Sequence, residues 1–240
     1  MSTGGPVLRL AGVSAGYGGS AVVRDIDLDV GVGEVVVVLG ANGAGKTTTL
    51  LTAAGAVKPM AGTVQWRGVA TTASLHRRAR SGLRLVTEER SVFTRLSVAD
   101  NLRIGRGSPS AALDLFPELA PLLGRPAGLL SGGEQQMLTL GRALSARPAL
   151  LIADELSLGL APLIVERLLT TVRDESRRSG MSALLVEQHI RPALAVADRG
   201  YVMRRGRIEF SGSADLLRSE SAAIESTYLS RAAGVGPPTG

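Results

Sequence analysis

The feature that most constrains this chain is the stretch GANGAGKTT at residues 40–48, which directly follows the apolar run VVVVL at 35–39. The apolar run predicts a fully buried, parallel strand, and residues 47–54 predict the helix after it. A strand, a glycine-rich turn and a helix in that order form the setting of a phosphate-binding loop. The fixed places of the pattern G-x-x-x-x-G-K-[ST] are held by Gly40, Gly45, Lys46 and Thr47.

The composition of this loop suits a ligand with several negative charges. Glycines allow successive backbone N–H groups to point into one cup, and the helix adds its positive N-terminal end. We expect Lys46 to reach the β- and γ-phosphates of a nucleoside triphosphate and the Thr47 hydroxyl to ligate Mg²⁺. The alternative is a glycine-rich turn that only joins a strand to a helix. The residues expected around the phosphates are Gly40, Asn42, Gly43, Ala44, Gly45, Lys46, Thr47 and Thr48.

Composition narrows the class of protein without deciding it. The 240 residues are 45% hydrophobic, which is enough for a substantial core. Only 3% are aromatic, so the chain has few side chains on which nucleic-acid bases could stack. The chain has 27 basic and 21 acidic residues, a formal charge of +6, which fits nucleic acid, an acidic membrane surface or an arginine-rich soluble protein. It has no cysteine, so disulfides and cysteine-based sites are excluded.

Hydropathy patterning predicts that the chain itself does not enter the membrane. No apolar run approaches the roughly 20 residues that a spanning helix needs, and the N-terminus has no signal-peptide pattern. We therefore expect a cytoplasmic protein whose membrane role, if any, arises through partners. The basic stretch HRRAR at 76–80 is predicted to be a solvated helix face.

The order of the predicted elements indicates an α/β fold with a mainly parallel sheet. Residues 90–146, rich in leucine and alanine and interrupted by prolines, predict an inserted helical subdomain. The expected organisation is a flexible start at 1–6, one domain at 7–231 with its core at 7–89 and 147–231, and a flexible tail at 232–240. Further strands are predicted at 7–13, 21–30, 62–66, 83–86, 149–153, 183–186, 201–204 and 207–210, and further helices after Pro162 and at 190–197.

Residues 150–155 read LLIADE, an apolar strand that ends in two carboxylates. Asp154 stands where a phosphate-loop enzyme needs an acid near Mg²⁺. Glu155 would face the other way if the strand continued, which places it to polarise a water for attack on the γ-phosphorus. The alternative is an Asp-Glu pair facing solvent; the phosphate loop upstream favours the catalytic interpretation.

Residues 130–136 read LSGGEQQ, in which a serine and two glycines open a predicted helix. The Ser131 hydroxyl and the N–H groups around Gly132 and Gly133 would form a second anion-binding end. Because one nucleotide does not need two phosphate cradles on one chain, we expect a dimer in which this loop caps the nucleotide of the other subunit. The alternative is an ordinary serine N-cap with flexible glycines.

Together, GANGAGKTT, LLIADE and LSGGEQQ resemble the motif set of ATP-binding cassette (ABC) proteins, over roughly residues 7–230. The resemblance implies a P-loop NTPase core with a mainly parallel sheet, an antiparallel β subdomain and an inserted α-helical subdomain. It also implies an Mg²⁺-dependent ATPase that works as a head-to-tail dimer with two ATP molecules between its subunits.

The resemblance assigns roles to further residues. Tyr17 in SAGYGG matches the aromatic residue that stacks on adenine, and His189 in LLVEQH matches the switch histidine that contacts the γ-phosphate. Without the resemblance, a turn tyrosine and a structural or solvent-facing histidine are the preferred interpretations. The implied site has catalytic residues Glu155, His189 and Glu88, metal-binding residues Thr47, Glu88 and Asp154, and signature contacts from Ser131, Gly132, Gly133 and Glu134.

Three positions depart from the common ABC pattern. Glu88 in LVTEER stands where a glutamine is usual, so it keeps an oxygen for the metal or water but adds negative charge beside the phosphates. Leu156 replaces the proline that usually follows the catalytic glutamate, and Ala161 replaces an aspartate of the next loop. The cross-dimer contact of that aspartate is therefore expected to be missing.

Three short segments and one residue resemble one branch of the family, the branched-chain amino acid importer ATPases of the LivF kind. The segments are SLGLAP, VFTRLSVADNL and VEQH, and the residue is Glu88. Leu156 departs from this branch too, since its members usually have proline there. The branch implies membrane permease subunits, a sister ATPase or a second copy as dimer partner, and an extracytoplasmic binding protein acting indirectly. It places the chain at the cytoplasmic face of the membrane, with Phe93 to Leu102 near the groove for a cytoplasmic helix of the permease.

Two other functions remain as alternatives. A soluble ABC ATPase acting on ribosomes or DNA usually has two cassettes or a long coiled-coil insertion, and this chain has one cassette and no heptad run, so no nucleic acid is expected. A small-molecule kinase would lack LSGGEQQ and would need an acceptor pocket. The transported solute cannot be read from this chain, because the membrane subunits and the binding protein select it.

Overall fold

The computed structural model describes residues 5–89, 91–224 and 226. The expected tail at 232–240 and most of the expected start at 1–6 lie outside these residues. The strands are β1 (Leu8–Tyr17), β2 (Ser20–Val30), β3 (Val35–Leu39), β4 (Ala61–Trp66), β5 (Val69–Ala70), β6 (Leu83–Val86), β7 (Leu150–Asp154), β8 (Ser182–Glu187), β9 (Arg199–Arg204) and β10 (Arg207–Ser213). The α-helices are α1 (Lys46–Ala54), α2 (Leu75–Arg80), α3 (Val98–Ile104), α4 (Pro109–Leu115), α5 (Gly132–Leu144), α6 (Pro162–Ser179), α7 (Ile190–Val196), α8 (Ala214–Ser219) and α9 (Ser221–Ile224), with 3₁₀ helices at Pro117–Leu122 and Ala127–Leu129.

The main sheet has six strands in the order β10-β9-β3-β8-β7-β6, and its neighbours are parallel except for the β9–β10 hairpin. The strand before the phosphate loop, β3, lies between β9 and β8. The strand that ends in Asp154, β7, is the next neighbour beyond β8. The carboxyl ends of β3, β7 and β8 therefore meet at one edge of the sheet, which is where ligands bind in open α/β sheets.

A second sheet of four strands, in the order β2-β1-β4-β5, is antiparallel throughout. It confirms the α/β fold class with an added antiparallel β part that the ABC resemblance implied. β1 continues to Tyr17, four residues beyond the predicted end at Val13, because it pairs with β2 up to the Tyr17–Ser20 turn. The pairing passes through irregular steps after Leu10 and Val13, which break the simple alternation that a strand prediction relies on.

The main sheet is covered on both faces, as its central strand shows. Val35, Val37 and Leu39 pack into a core shared with α3 to α9. Val36 and Val38 pack into a second core shared with α1 and the antiparallel sheet. A parallel strand that is buried on both faces has an uninterrupted apolar sequence, which is why VVVVL predicted β3.

The helical elements α3, α4 and α5 lie between β6 and β7 in the chain, within the segment predicted to be helical. The longest of them, α5, buries Met137, Leu140 and Leu144 in the core that α6 and α7 also line. These are the residues that the spacing i, i+3 and i+7 assigned to its buried face. Asn101, fully buried in α3, accepts a hydrogen bond from the Phe93 amide (2.8 Å) and ties the loop before α3 to that helix.

The prediction for HRRAR at 76–80 was wrong at its centre. Arg78 is 2% exposed, and its Nη1 donates to the carbonyl of Ala53 (2.5 Å) while its Nε donates to that of Ala73 (2.9 Å). The guanidinium thus satisfies the Ala53 carbonyl at the C-terminal end of α1, where carbonyls have no partner within their own helix, and the Ala73 carbonyl before α2. Its planar set of five donors suits this task, whereas His76, Arg77 and Arg80 of the same segment are exposed.

Within the described residues, no helix is both long enough and apolar enough to cross a membrane.

Candidate functional site

The turn between β3 and α1 depends on a glycine at position 45. Gly45 adopts φ +101°, in the left-handed region, and stands immediately before the first helical residue. A Cβ at this position would lie 2.5 Å from Cγ1 of Val23, so any larger residue would collide with β2. With the first N–H groups of α1 left without intrahelical acceptors, the loop presents donors toward the edge of the sheet.

The Lys46 ammonium group lies inside the site. Its side chain is 4% exposed, and Nζ donates to the carbonyls of Gly40 (2.9 Å) and Ala41 (3.3 Å). Nζ also lies 3.3 Å from Oε1 of Glu155. A buried ammonium group between a carboxylate and two carbonyl acceptors is placed to bind an anion, because charges attract each other more strongly where little water screens them.

Asp154 ends β7 and is 3% exposed. The Thr47 hydroxyl hydrogen-bonds to its carboxylate, while Oδ1 is buried and has no hydrogen-bond partner among the described residues. Burial raises the pKa of this carboxyl, the Thr47 hydrogen bond lowers it in part, and the nearby charge of Glu155 raises it again. A buried oxygen without a partner, beside a threonine hydroxyl, is a donor set that fits a hard divalent cation such as Mg²⁺.

Glu155 faces the cleft for a reason other than the one expected. β7 ends at Asp154, and Glu155 takes φ +48° in the left-handed region, so the alternation of a continued strand does not apply. Its amide donates to the carbonyl of Val186 on β8 (2.9 Å), which anchors the turned residue. Its carboxylate meets Lys46 through Oε1 and accepts a hydrogen bond from Nε2 of Gln188 (3.0 Å) through Oε2. A non-glycine residue in this conformation, at the mouth of a cleft, is typical of functional sites.

Gly45, Lys46 and Glu155 line a cleft of about 330 Å³ at the carboxyl edge of the main sheet, whereas Asp154 is buried and does not border it. The cleft gathers one side of the predicted site, because the phosphate loop, Glu88 and Glu155 all border it. It also includes Val22, Leu158 and Gln188, which the sequence did not identify. The predicted site residues that border it are Asn42, Gly43, Gly45, Lys46, Thr47, Thr48, Glu88 and Glu155.

The structure does not bring His189 into this lining, and Gln188 stands there instead. β8 ends at Glu187, and His189 is the residue before the first turn of α7. Its side chain lines a separate cavity of about 830 Å³ between α6 and α7, while Gln188 borders both spaces. Gln188 and His189 are adjacent in the turn after β8 and border different spaces. The expected contact of His189 with the γ-phosphate stays a prediction.

The LSGGEQQ loop at residues 130–136 begins α5 with a serine N-cap. The Ser131 hydroxyl accepts from the Glu134 amide (3.3 Å), and Oε2 of Glu134 accepts from the Ser131 amide (2.7 Å). This capping box leaves the hydroxyl proton of Ser131 available. Ser131 is exposed and does not border the cleft of its own chain. A Cβ on Gly133 would lie 3.0 Å from Cγ2 of Ile164, which brings this loop against the start of α6.

The remaining predicted residues lie at the margins. Tyr17 is 54% exposed at the end of β1 and does not border the cleft. Leu156 is 2% exposed in the core, so its side chain replaces the usual proline with buried apolar contacts. Ala161 precedes α6 and gives it no side-chain cap, and Pro162 occupies the first helical position.

No cluster of three or more His, Asp or Glu suited to a metal occurs in the described part of the chain.

The fold and the cleft define a phosphate-loop nucleotide-binding protein of the α/β class. The family model described as ABC transporter matches residues 23–157, more than half of the chain. The chain belongs to the ABC transporter family, as its ATP-binding subunit with ATPase activity. The alternative of a ribosome- or DNA-directed protein is not favoured.

Two bacterial relatives and one archaeal relative show how the chain compares with characterised proteins. It is 40% identical to the high-affinity branched-chain amino acid transport ATP-binding protein BraG of Pseudomonas aeruginosa, over 82% of this chain and 88% of the relative. It is 34% identical to the probable branched-chain amino acid transport ATP-binding protein LivF of Archaeoglobus fulgidus, over 88% and 94%. It is also 34% identical to the lipopolysaccharide export system ATP-binding protein LptB of Escherichia coli, over 92% and 96%.

Solved structures agree with the fold. An ATP-binding cassette of an ABC transporter in its ADP conformation superposes with a TM-score of 0.81 at 24% identity, covering 92% of this chain and 98% of the other. A dimeric bacterial ABC transporter cassette superposes with a TM-score of 0.77 at 21% identity, covering 86% and 98%.

Proposed function

We propose that this chain is the ATP-hydrolysing subunit of an importer for branched-chain amino acids or related amino acids and amides. The observation that carries the proposal is the 40% identity to BraG over 82% of the chain, joined to a cleft in which Lys46 and Glu155 face each other. The solute is assigned by this likeness, because the described residues of this chain bind the nucleotide and not the solute.

Hydrolysis is assigned to Glu155. As the oxygen of a water molecule forms a bond to the γ-phosphorus, Glu155 accepts a proton from that water and the bond to the β-phosphate oxygen breaks, leaving ADP and phosphate. Lys46 and the N–H groups at the start of α1 hold the phosphate oxygens. Glu88 borders the same cleft and contributes a further carboxylate near the attacking water.

Mg²⁺ is the metal that this site fits, through the Thr47 hydroxyl, the Asp154 carboxylate and Glu88. When bound, it would neutralise charge on the phosphate oxygens. The partnerless Oδ1 of Asp154 is the observation that supports this assignment, since a buried carboxylate oxygen without a donor is costly unless a cation meets it.

The second half of each nucleotide site is assigned to a partner cassette, either a sister ATPase or a second copy. The proposed cross-dimer residues are Ser131, Gly132, Gly133 and Glu134, none of which borders the cleft of their own chain. The exposure of Ser131 and the free proton of its hydroxyl support this role. Tyr17, exposed at the end of β1, is proposed to meet the adenine.

A groove between α2 and α5 is assigned to a cytoplasmic segment of the permease. It has a volume of about 270 Å³, and the exposed side chains of Phe93 and Ile104 border it. No aspartate or glutamate of the described residues lines it. We call it the arginine groove, after Arg80, Arg84, Arg106 and Arg142.

The arginine groove favours an acidic segment of that permease. Burial lowers the pKa of Arg84, and the nearby positive charge of Arg106 lowers it further. Nη1 of Arg142 is buried and has no partner among the described residues. Docking there would place the chain at the cytoplasmic face of the membrane, peripheral to its permease and indirectly coupled to an extracytoplasmic binding protein.

Lipopolysaccharide export is the second candidate function. It rests on the 34% identity to LptB, which extends over 92% of this chain. The two candidates share the ATPase chemistry and differ in their membrane subunits.

The experiment that tests the proposal uses Glu155→Gln as bait. The tagged variant is expressed in its native cell, membranes are dissolved in mild detergent with ATP, and co-purifying proteins are identified. Two multi-spanning proteins encoded with an amino-acid-type binding protein, and that binding protein's affinity for amino acids or amides, would support import. Lipopolysaccharide in the purified complex would favour export instead. Recovery of ribosomal or DNA-bound proteins without an integral membrane protein would contradict transport altogether.

A further inference from the structure

The turn that carries Glu155 is held to the end of β8 through two neighbouring residues. The Glu155 amide donates to the carbonyl of Val186 (2.9 Å), and the Ser157 hydroxyl donates to Oε2 of Glu187. Within the main sheet, Glu187 stands in register with Leu39, the last residue of β3 before the phosphate loop. The turn is thereby fixed to the strand beside the one that carries the phosphate loop. The inference drawn here rests on the proposed hydrolytic role of Glu155.

Glu187 is a buried carboxyl whose side-chain partner is Ser157. The two side chains are 1% and 4% exposed. Among the described residues Glu187 forms no ion pair, and its Oε1 has no hydrogen-bond partner. Burying a carboxyl without a cation beside it is costly. The Ser157 hydroxyl offsets part of that cost, so the two side chains depend on each other.

The residues directly after Glu155 all act on this carboxyl. Burial raises the pKa of Glu187 to about 7, while the Ser157 hydroxyl and the backbone amides of Ser157 and Leu156 oppose the rise. The hydroxyl makes a direct hydrogen bond to Oε2, whereas the two amides favour the charged form without a well-formed hydrogen bond. The end of the turn therefore faces Glu187 with both its backbone and its side chain.

The turn needs such an anchor because its conformation is not one that the chain prefers by itself. Glu155 has φ +48°, and a residue with a side chain keeps this left-handed conformation only when its surroundings hold it. Leu156 follows, and leucine does not fix its own φ as proline does. The Val186 carbonyl holds the first residue of the turn, and the contact between Ser157 and Glu187 holds its end.

We propose that Glu187 is a positioning residue for the turn at 155–157, which it holds through Ser157 so that the Glu155 carboxylate points into the nucleotide cleft. A general base must keep its oxygen within hydrogen-bond reach of the water that it deprotonates. A displacement of about 1 Å can cost on the order of 100-fold in rate. Glu187 does not border the cleft, so it acts on the reaction through the turn and not through the nucleotide.

The test is steady-state ATP hydrolysis by the purified full chain carrying Glu187→Leu, which is similar in size and cannot accept from Ser157. We expect kcat to fall about tenfold while the KM for ATP changes by less than about twofold, since Glu187 does not hold the nucleotide itself. Glu187→Gln keeps an acceptor oxygen, so its kcat should stay within about twofold of the wild-type value. Ser157→Ala removes the donor of the same contact and should lose about as much as Glu187→Leu.

Two combined variants and one control separate positioning from a general loss of structure. Ser157→Ala joined to Glu187→Leu should lose no more than either change alone, because both break the same contact. In the Glu155→Gln background, Glu187→Leu should cause no further loss in the residual single-turnover rate, because it acts through a base that is already absent. Ser182→Ala is the matched control, since it removes a buried hydroxyl at the start of β8 that accepts from the Gly33 amide (2.9 Å). It should lower Tm while kcat stays within about twofold of the wild-type value.

The inference is overturned if Glu187→Leu and Ser157→Ala both keep wild-type turnover. It is overturned equally if Glu187→Leu costs the same factor of about ten in the Glu155→Gln background. A loss in Glu187→Gln as large as that in Glu187→Leu would also overturn it, because the acceptor oxygen would then not be the group that matters. So would a loss of kcat in Ser182→Ala that matches that of Glu187→Leu.

Failure of this inference is distinguishable from failure of the proposed function. If the unmodified chain hydrolyses ATP and Glu155→Gln abolishes it, while the Glu187 and Ser157 variants are unaffected, only the positioning role is wrong. If Glu155→Gln retains turnover, the hydrolytic assignment on which the inference depends is wrong.

Discussion

Lys46 and Glu155 form an ion pair across the mouth of the cleft, with Nζ 3.3 Å from Oε1 and the two side chains 4% and 11% exposed. The proposed phosphate-binding cation and the proposed general base thus neutralise each other in this structure. Because a buried charge is costly without a partner, each group offsets part of the other's cost of burial. Nucleotide binding gives Lys46 a second anion, so the pair is expected to loosen as the site fills.

Glu155→Gln should lower ATP turnover by on the order of 10²–10⁴, because an amide cannot accept the proton from the attacking water. ATP affinity should change little, since the amide keeps the size of the side chain and its contact with Gln188. Phosphate release measured beside binding of a fluorescent ATP analogue tests both statements. Near-normal turnover in the variant would refute the assignment of the base.

Lys46→Ala should weaken ATP binding by about 10- to 100-fold, which corresponds to the loss of a charge-assisted hydrogen bond of roughly 1.5–3 kcal/mol. The measurement is equilibrium binding of a fluorescent ATP analogue, with Lys58→Ala as the control because Lys58 is the other lysine of the chain and lies outside the cleft. Equal affinities in the two variants would count against the phosphate-loop interpretation.

Arg78→Ala should lower the free energy of unfolding by about 2–4 kcal/mol, because it removes the donors to one carbonyl at the end of α1 and to one in the loop before α2. Arg78 donates to Ala53 and Ala73 from a position that is 2% exposed. Urea denaturation followed by circular dichroism measures the change. Arg77→Ala, on the exposed side of the same helix, is expected to stay within about 0.5 kcal/mol of the unmodified chain.

Glu187 should make the stability of the chain depend on pH. It is 1% exposed at the end of β8, and burial raises its pKa from 4.5 to about 7, although a hydrogen bond from Ser157 opposes the rise. The folded chain therefore binds this proton more tightly than the unfolded chain. The stabilisation that comes from protonated Glu187 is present in full below pH 4.5 and is lost as the pH rises to about 7.

Glu187→Gln isolates this contribution, because the amide stays neutral at every pH and can still accept from Ser157. The difference in Tm between the variant and the unmodified chain should move in favour of the variant between about pH 5 and about pH 8. Scanning calorimetry across that range provides the measurement, with Glu209→Gln as an exposed control. A difference that stays constant with pH would show that the Glu187 carboxyl does not bind its proton more tightly in the folded chain.

Arg106→Glu should reduce recovery of the membrane subunits by at least about tenfold in the co-purification described above, since it places a negative charge in the arginine groove opposite an acidic segment. Arg106 is exposed, so folding and the ATPase activity of the isolated chain should be unaffected. Arg207→Glu on the β9–β10 hairpin is the matched control, because it makes the same charge change away from the groove. Undiminished recovery in Arg106→Glu would show that the permease docks elsewhere.

Features whose physical cause is local follow from the sequence alone. The run VVVVL and the glycine-rich turn after it predicted a buried strand and a phosphate loop, and both lie at the expected positions, with Gly45 left-handed and without room for a Cβ. The buried face of α5 likewise follows from helical spacing alone.

The tertiary structure decided what depends on packing between distant segments. The Gln188 amide donates to Glu155 between the turns that follow β8 and β7, and no periodicity in the sequence predicts that contact. Arg78 is buried because the end of α1 offers it carbonyl acceptors, although a run of basic residues is solvated in most helices. Local conformation is set by neighbours in the chain, whereas the partner of a side chain is set by which strands and helices lie next to it.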